Sequence, residues 1–529
     1  MTISLPFTYV LICLGALSLV LSRIAKRRRR LPLPPGPPAD FLIGHLRSLP
    51  TTASEETLIR WHRQYGDILY FNIFGTSIVL LNTQKVGHDL LEDRAKIYSD
   101  RPHVPFVSFM GWGKTLPMLP YGDEFFKSRK LYQEFLTRPL CANYTDIQLV
   151  HAHFALRNLL KTPEKFESHI SRFAGGIVVE LDYGHRILDD DDPYILLTEE
   201  INRMAQLLGQ AGSHPVDIFP FLRFLPAWFP GAGFIKSGQG NAQSRDILEV
   251  VKSRPVEEVE RSLVEDTASP SFLATNLEAL RRENPGDTEE LEILKNAALE
   301  FYAAGAETTS STIENILFAL LLHPEVQARA QKEIDDVLGQ KRLPDFSDRE
   351  NIPYIEHLIQ EGMRWHPATP LGIPHRVMVD DVYQGMLIPK GSIVILNARC
   401  MTKDEKIYQN PQEFSPERFI PSPEGRGEPY ASYIFGFGRR VCPGRHLAEA
   451  SVWIFVATFI AAFEIVPIQD ENGNDMIPEA EFIEYIARAK LKARVGFPTP
   501  DSSQLQGSES DGGTYPEDHE KVRTKTRDR

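Results

Sequence analysis

Cysteine is scarce in this sequence: four among 529 residues, at Cys13, Cys141, Cys400 and Cys442. They lie far apart and form no CxxC pair, which excludes a disulfide framework and a structural zinc site of the usual ligand spacing. Such usage fits a folded part held in a reducing, cytosolic environment. An excess of positive charge is also lacking. Against 71 acidic residues stand 58 lysines and arginines, for a net charge of −13. A chain without a basic footprint is a poor candidate for nucleic-acid binding. No internal repeat is visible, and no composition break supports the three or four domains that a prior of about 150 residues each would allow. A GxGxxG fingerprint with βαβ context is missing, and there is no room for a flavin domain, so neither a nicotinamide nor a flavin cofactor has a place of its own.

What is present begins with a run of 19 uncharged residues, Ile3 to Leu21. As a helix it would be about 28 Å long, close to the thickness of a bilayer core. KRRRR, Lys26 to Arg30, follows it. A cleaved signal peptide carries its basic residues before the apolar run and a small-residue cleavage site after it. Here the order is reversed, which favours an uncleaved signal anchor over residues 1–30, with everything beyond it on the cytoplasmic side. LPLPPGPP, residues 31–38, holds five prolines in eight positions and can be neither helix nor central strand. It reads as a stiff spacer, or as a hinge that sets a catalytic domain at a fixed angle over the membrane. Residues 39–499 read as one globular unit. Residues 500–529 are polar and almost free of apolar side chains, a disordered tail by composition.

Within the globular unit, DILYFNIFGTSIVLLN alternates as a hairpin would, with its turn at Gly75. Helical patterns dominate beyond it, so the expected class is mainly α with small β-sheets. The longest pattern opens at Asp287 or Thr288, has acids in its first turn and stops near Pro324. A helix of about 35 residues would be about 50 Å long and would cross the whole molecule.

The stretch that carries chemistry is FGFGRRVCPG, Phe435 to Gly444, where three glycines, two arginines and a proline crowd around Cys442. An apolar helix pattern, RHLAEASVWIFVATFIAAF, follows directly. Cys442 therefore stands at a helix N-terminus, where unpaired N–H groups and the positive end of the dipole favour a thiolate. Gly436, Gly438 and Gly444 allow the close approach of something flat. Phe435 can shield the sulfur from water, and Arg440 can present a cation to an anionic group. A lone cysteine is more often buried and inert. A thiolate in a dry pocket beside a cation, however, is what a haem with propionates requires.

The spacing Phe435-x-x-Gly438-x-Arg440-x-Cys442-x-Gly444 resembles the haem-binding signature of the haem-thiolate monooxygenases, the cytochrome P450 family. The resemblance runs from the anchor to about residue 499 and includes further motifs in the same order. EGMR supplies Glu361 and Arg364, one helical face at i, i+3, and PERF supplies Arg418. By resemblance these three form a buried ion network behind the haem; taken alone, such a pair is usually solvated and worth little. AGAETT, Ala304 to Thr309, places a glycine and two threonines inside the long helix, which costs about 1 kcal/mol at the glycine. A threonine hydroxyl there can also compete for a backbone carbonyl. The resemblance implies a local kink at this point, with Thr308 hydrogen-bonding dioxygen and Glu307 relaying protons to it. It also implies propionate contacts from Arg101, Arg129 and His375. The family usually carries a tryptophan where this chain has Phe125; phenylalanine packs on the ring edge but donates no N–H, so one propionate hydrogen bond fewer is expected.

The implied cofactor is haem b with the Cys442 thiolate as axial ligand. The implied fold is the cytochrome P450 fold behind a single transmembrane helix in the endoplasmic reticulum membrane, with the catalytic domain in the cytosol. Electrons would come from NADPH through cytochrome P450 reductase, with cytochrome b5 as a second donor. Lys127, Lys130, Arg439 and Arg445 could form a basic docking patch that steers the encounter, or could be scattered solubilising charges. PHVPFVSFMGWGKTLPML, FPFLRFLPAWFPG, Thr369 to Ile373 and the loop near Phe482 would roof the haem and touch substrate. Their apolar character suits a lipophilic molecule. Parts of them resemble fungal microsomal members of the O-methylsterigmatocystin oxidoreductase-like kind, which points by analogy to a terpenoid or polyketide. A haem-thiolate isomerase or peroxygenase needing no reductase, and a haem sensor without turnover, are the competing readings. Members of the isomerase kind commonly lack the acid–threonine pair, so Glu307 and Thr308 favour oxygen activation. The sequon at Asn143 would face the cytosol and stay unmodified.

Overall fold

The computed structural model describes residues 31–48, 55–187, 215–218, 233–339 and 341–469, with shorter stretches around 192–204, at 222, and at 475–476, 481–485 and 488–492. The expected anchor over residues 1–30, most of the aromatic stretch 219–231, the side chain of Phe482 and the tail over 500–529 lie outside the described residues.

Helices of ten residues or more make the frame: α1 (Glu55–Tyr65), α2 (Asp123–Gln133), α3 (Thr145–Lys161), α4 (Phe166–Tyr183), α5 (Gly233–Val264), α6 (Phe272–Glu283), α7 (Thr288–Leu322), α8 (Pro324–Leu338), α9 (Pro353–Trp365) and α10 (Arg445–Ala462). Strands are short and few: β1 (Ile68–Ile73), β2 (Thr76–Leu81), β3 (His375–Arg376), β4 (Asp381–Tyr383), β5 (Met386–Ile388) and β6 (Ile393–Leu396), then four more after Ala462. The largest sheet has the order β1-β2-β6-β3. β1 and β2 are the antiparallel hairpin, in register from Ile68↔Leu81 to Ile73↔Thr76. Phe74 and Gly75 both have positive φ, 47° and 91°, the conformation that a two-residue hairpin turn of matching twist demands. β2 pairs β6 in parallel, and β3 pairs β6 antiparallel through His375↔Val394. That last pairing fixes His375 at the sheet edge.

α7 begins where its sequence says it should. The Asp287 side chain accepts from the N–H groups of Glu289 and Glu290 at 2.9 and 3.0 Å, capping donors that have no partner within the helix. It ends before Pro324, which starts α8. Between these limits α7 is apolar on most of its faces and packs α4, α9 and α10 around it. α10 is apolar all round, and Trp453 to Ala457 are fully buried. Its composition would suit a membrane, but it is the innermost helix of the core.

The proline-rich segment 31–38 is bonded into the domain. Pro35 O accepts from Tyr70 N at 2.8 Å on β1, and Pro32 O accepts from Leu387 N at 2.7 Å on β5. Prolines cannot donate, so the segment binds through its carbonyls alone. Gly36 is required here, because a Cβ would stand 2.1 Å from Tyr70 O.

Candidate active site

Two short turns, Ser432–Phe435 and Gly438–Arg440, lead into Cys442 and α10. The Cys442 N–H is held by Phe435 O at 2.8 Å, which curls the backbone into a loop beneath a cavity. Gly436 and Gly438 both have positive φ. A Cβ at Gly438 would lie 2.4 Å from Leu91 O, so no other residue fits where this loop crosses the chain. At Gly444 a Cβ would meet nothing within 4 Å; that glycine leaves open space on the cavity side.

The cavity has a volume of about 390 Å³. Cys442, Phe435, Gly436 and Gly444 form one side, and Ala304, Glu307 and Thr308 of α7 form another. Arg101, Arg129, Arg440, His375 and Phe125 also line it. Each cation is tied down through carbonyls. Arg101 donates to Ile373 O and Pro374 O at 2.6 and 2.8 Å, and Arg129 to Val441 O at 2.7 Å. Arg440 reaches Ser99 O, Leu116 O and Leu119 O at 2.8, 3.1 and 2.8 Å. Its guanidinium lies 3.7 Å from the centroid of the Phe125 ring. Phe125 therefore supports a cation by its face, a contact that needs no indole N–H.

The electrostatics of this group are those of positive charge without a counter-ion. Among the described residues, none of the three arginines is in an ion pair. Burial, and after it the neighbouring Arg440, pushes the Arg101 pKa well below its ordinary value. Burial pulls Arg440 down to about 10. His375 donates its Nδ1–H to the Tyr98 carbonyl, 2.8 Å away, and burial together with Arg101 holds the ring neutral. Arg101 Nε is buried with no partner. Such a cluster in an apolar cavity is matched by an anionic group with several acceptor oxygens.

The thiol is under opposing influences. Burial dominates and raises the Cys442 pKa; the Gly444 N–H and Arg129 pull the other way without prevailing. A bound metal cation would add to that pull and favour the thiolate.

On α7, the Thr308 hydroxyl donates to Ala304 O and the Thr312 hydroxyl to Thr308 O, both at 2.8 Å. The residues stay helical through this turn. Gly305 has a packing reason: a Cβ there would stand 2.8 Å from Val178 Cγ2 on α4. Glu307 is buried, on the cavity lining.

Glu361, Arg364 and Arg418 meet with no solvent exposure at all. Arg364 forks onto Glu361 at 2.7 and 2.8 Å, and Arg418 Nε reaches the same carboxylate at 2.9 Å. The Ser415 N–H adds a fourth donor at 2.8 Å. Arg364 also holds Thr402 O and Pro411 O, so the network staples α9 to the chain that leads to Cys442. Glu428, 2.6 Å from Arg418, belongs to it as well; no spacing in the sequence pointed to that residue. Of the four basic residues considered for docking, Lys127 pairs with Glu289 and Lys130 with Glu134, whereas Arg439 and Arg445 are exposed.

The residues fit a haem. An apolar slot has one thiol at its floor, an open space above Gly444, and uncompensated cations at its edge where propionates would be held. The protein these features define is a haem-thiolate enzyme. The family model of cytochrome P450 matches residues 34–493, and the chain belongs to that family. It is 38% identical to cytochrome P450 monooxygenase 208 of Postia placenta over 86% of this chain and 88% of the relative. It is 34% identical to cytochrome P450 monooxygenase 136 of the same fungus over 91% of each, and 37% identical to cytochrome P450 monooxygenase COX2 of Coprinopsis cinerea over 85% and 86%. The protein is a cytochrome P450 monooxygenase.

Proposed function

We propose that this monooxygenase inserts one oxygen atom from dioxygen into a lipophilic small molecule, of terpenoid or polyketide type, using electrons from NADPH delivered by a membrane-bound reductase. The observation that carries this reading is the cavity itself. It joins Cys442 to the Thr308 and Glu307 pair, and its remaining walls are largely apolar, with Val107, Trp112, Leu116, Ala368 and Ile373 among them. When bound, the haem supplies the activation of dioxygen. The protein's own residues do the rest. Arg101, Arg129 and Arg440 hold the anionic edge of the cofactor. Glu307 and Thr308 hold and pass protons on the α7 side. The apolar walls orient the substrate and exclude water.

Anchorage by residues 1–30 at the endoplasmic reticulum, facing the cytosol, completes the reading, because it brings the domain onto the surface where such a reductase works. The test is reconstitution of the full chain with a fungal reductase, NADPH and host extract. NADPH consumption coupled to a product one oxygen heavier supports the proposal. Product formed with peroxide alone, or an isomer of the substrate, refutes it.

A further inference from the structure

Glu300 was not singled out by any motif, yet it lines the cavity. It lies one and two helical steps of four from Ala304 and Thr308, so all three share a face of α7. Eight residues place it about 12 Å along the helix from Thr308. The cavity that it lines is apolar over most of its walls, with Trp112, Leu116, Phe301 and the ring of Tyr132 among them. No cation pairs with it among the described residues. Thr115, whose hydroxyl also donates to Trp112 O at 2.8 Å, stands beside one edge of the carboxyl.

An anion in such a place would be costly, and burial raises the Glu300 pKa to about 8. At neutral pH the group is mostly a protonated acid, able both to donate and to accept. The Tyr132 hydroxyl does not donate to it, because its proton goes to Ala297 O at 2.7 Å.

Resting on the monooxygenase reading above, we propose that Glu300 is a substrate-recognition residue: its carboxyl hydrogen-bonds a carbonyl or hydroxyl oxygen of an otherwise lipophilic molecule. The enzyme then takes substrates that already carry oxygen and presents a carbon some distance from that oxygen to the cofactor. The reaction that supplies its substrate is accordingly an earlier oxygenation or a synthesis that leaves a ketone or alcohol.

The experiment uses haem-loaded full chain and three probes of one carbon skeleton: the hydrocarbon valencene, the ketone nootkatone and the alcohol nootkatol. Binding is read from the haem difference spectrum. The wild type is expected to bind the ketone and the alcohol about five-fold or more tightly than the hydrocarbon, the worth of one buried hydrogen bond. Glu300→Leu is expected to bind all three alike, and Glu300→Gln, which still donates and accepts, to keep the preference. Should the leucine variant fail to hold haem, Glu300→Ala reads the same loss. A purely structural bond from Glu300 to Thr115 would not produce a preference between probes. Equal affinities in the wild type, no binding of the oxygenated probes, or a preference that survives in the leucine or alanine variant would overturn the assignment. The monooxygenase reading fails separately: its failure is the absence, in the wild type, of the red-shifted carbon monoxide band of a thiolate-ligated ferrous haem.

Discussion

Glu361→Gln tests the buried network at its centre. The carboxylate takes four donors: two from Arg364, one from Arg418 and the Ser415 N–H. Glutamine keeps the shape but removes the charge and turns an N–H₂ towards one of the guanidiniums. Breaking a buried ion pair costs about 3–5 kcal/mol, because the remaining charge stays behind without compensation. Two arginines are affected, but the cost is not doubled. Arg418 keeps Glu428 at 2.6 Å, and Arg364 keeps the carbonyls of Thr402, Pro411 and Glu413. With about 2.1 cal/mol/K of unfolding entropy per residue, a unit matching residues 34–493 shifts its midpoint by about 1 °C per kcal/mol. The expected fall is therefore about 3–5 °C. Circular dichroism of purified protein on heating reads it. The exposed pair Lys332–Asp336, at 2.6 Å and with side chains 75% and 63% exposed, is the internal control: Asp336→Ala should change the midpoint by less than about 1 °C. A Glu361→Gln midpoint within 1 °C of wild type, or one no lower than the control, would show that burial and geometry have been wrongly converted into energy.

Gly305→Ala should destabilise by about 1–3 kcal/mol through the clash with Val178, net of the roughly 1 kcal/mol that alanine gains in a helix; adding Val178→Ala should restore the thermal midpoint. Arg440→Lys keeps the charge but gives up the planar fork that reaches Ser99, Leu116 and Leu119, and loss of haem to an excess of apomyoglobin should be about ten-fold faster. His366 is held well below its ordinary pKa by burial, then by Lys403, Arg399 and Arg364. Its unfolded form therefore takes up a proton that the folded form refuses, and stability falls as the pH drops below about 6.5. Thermal midpoints measured between neutral and mildly acidic pH should show that fall, with a shallower slope in His366→Asn.

Features written in consecutive residues were legible in the sequence. The Asp287 cap and the Pro324 stop frame α7 because both act on their own backbone, and Gly75 marks the hairpin for the same reason. The loop around Cys442 is legible because its chemistry is contiguous. What depended on distant partners was not. The carbonyls of a proline-rich segment look like a spacer until Tyr70 and Leu387 are seen to donate to them. Gly305 reads as a weak point in a helix until Val178 is found against it. Glu300 looks like one more acid in a long amphipathic pattern, and only the folded cavity shows that its surroundings are apolar. At Cys442 a helix terminus is visible in sequence, but the burial that opposes it is not.

Arg440 belongs to the loop that carries Cys442, yet its three acceptors, Ser99, Leu116 and Leu119, belong to a distant stretch of chain that also lines the cavity. The two stretches are thus riveted to each other, and three bonds to one rigid guanidinium must break together before they can part.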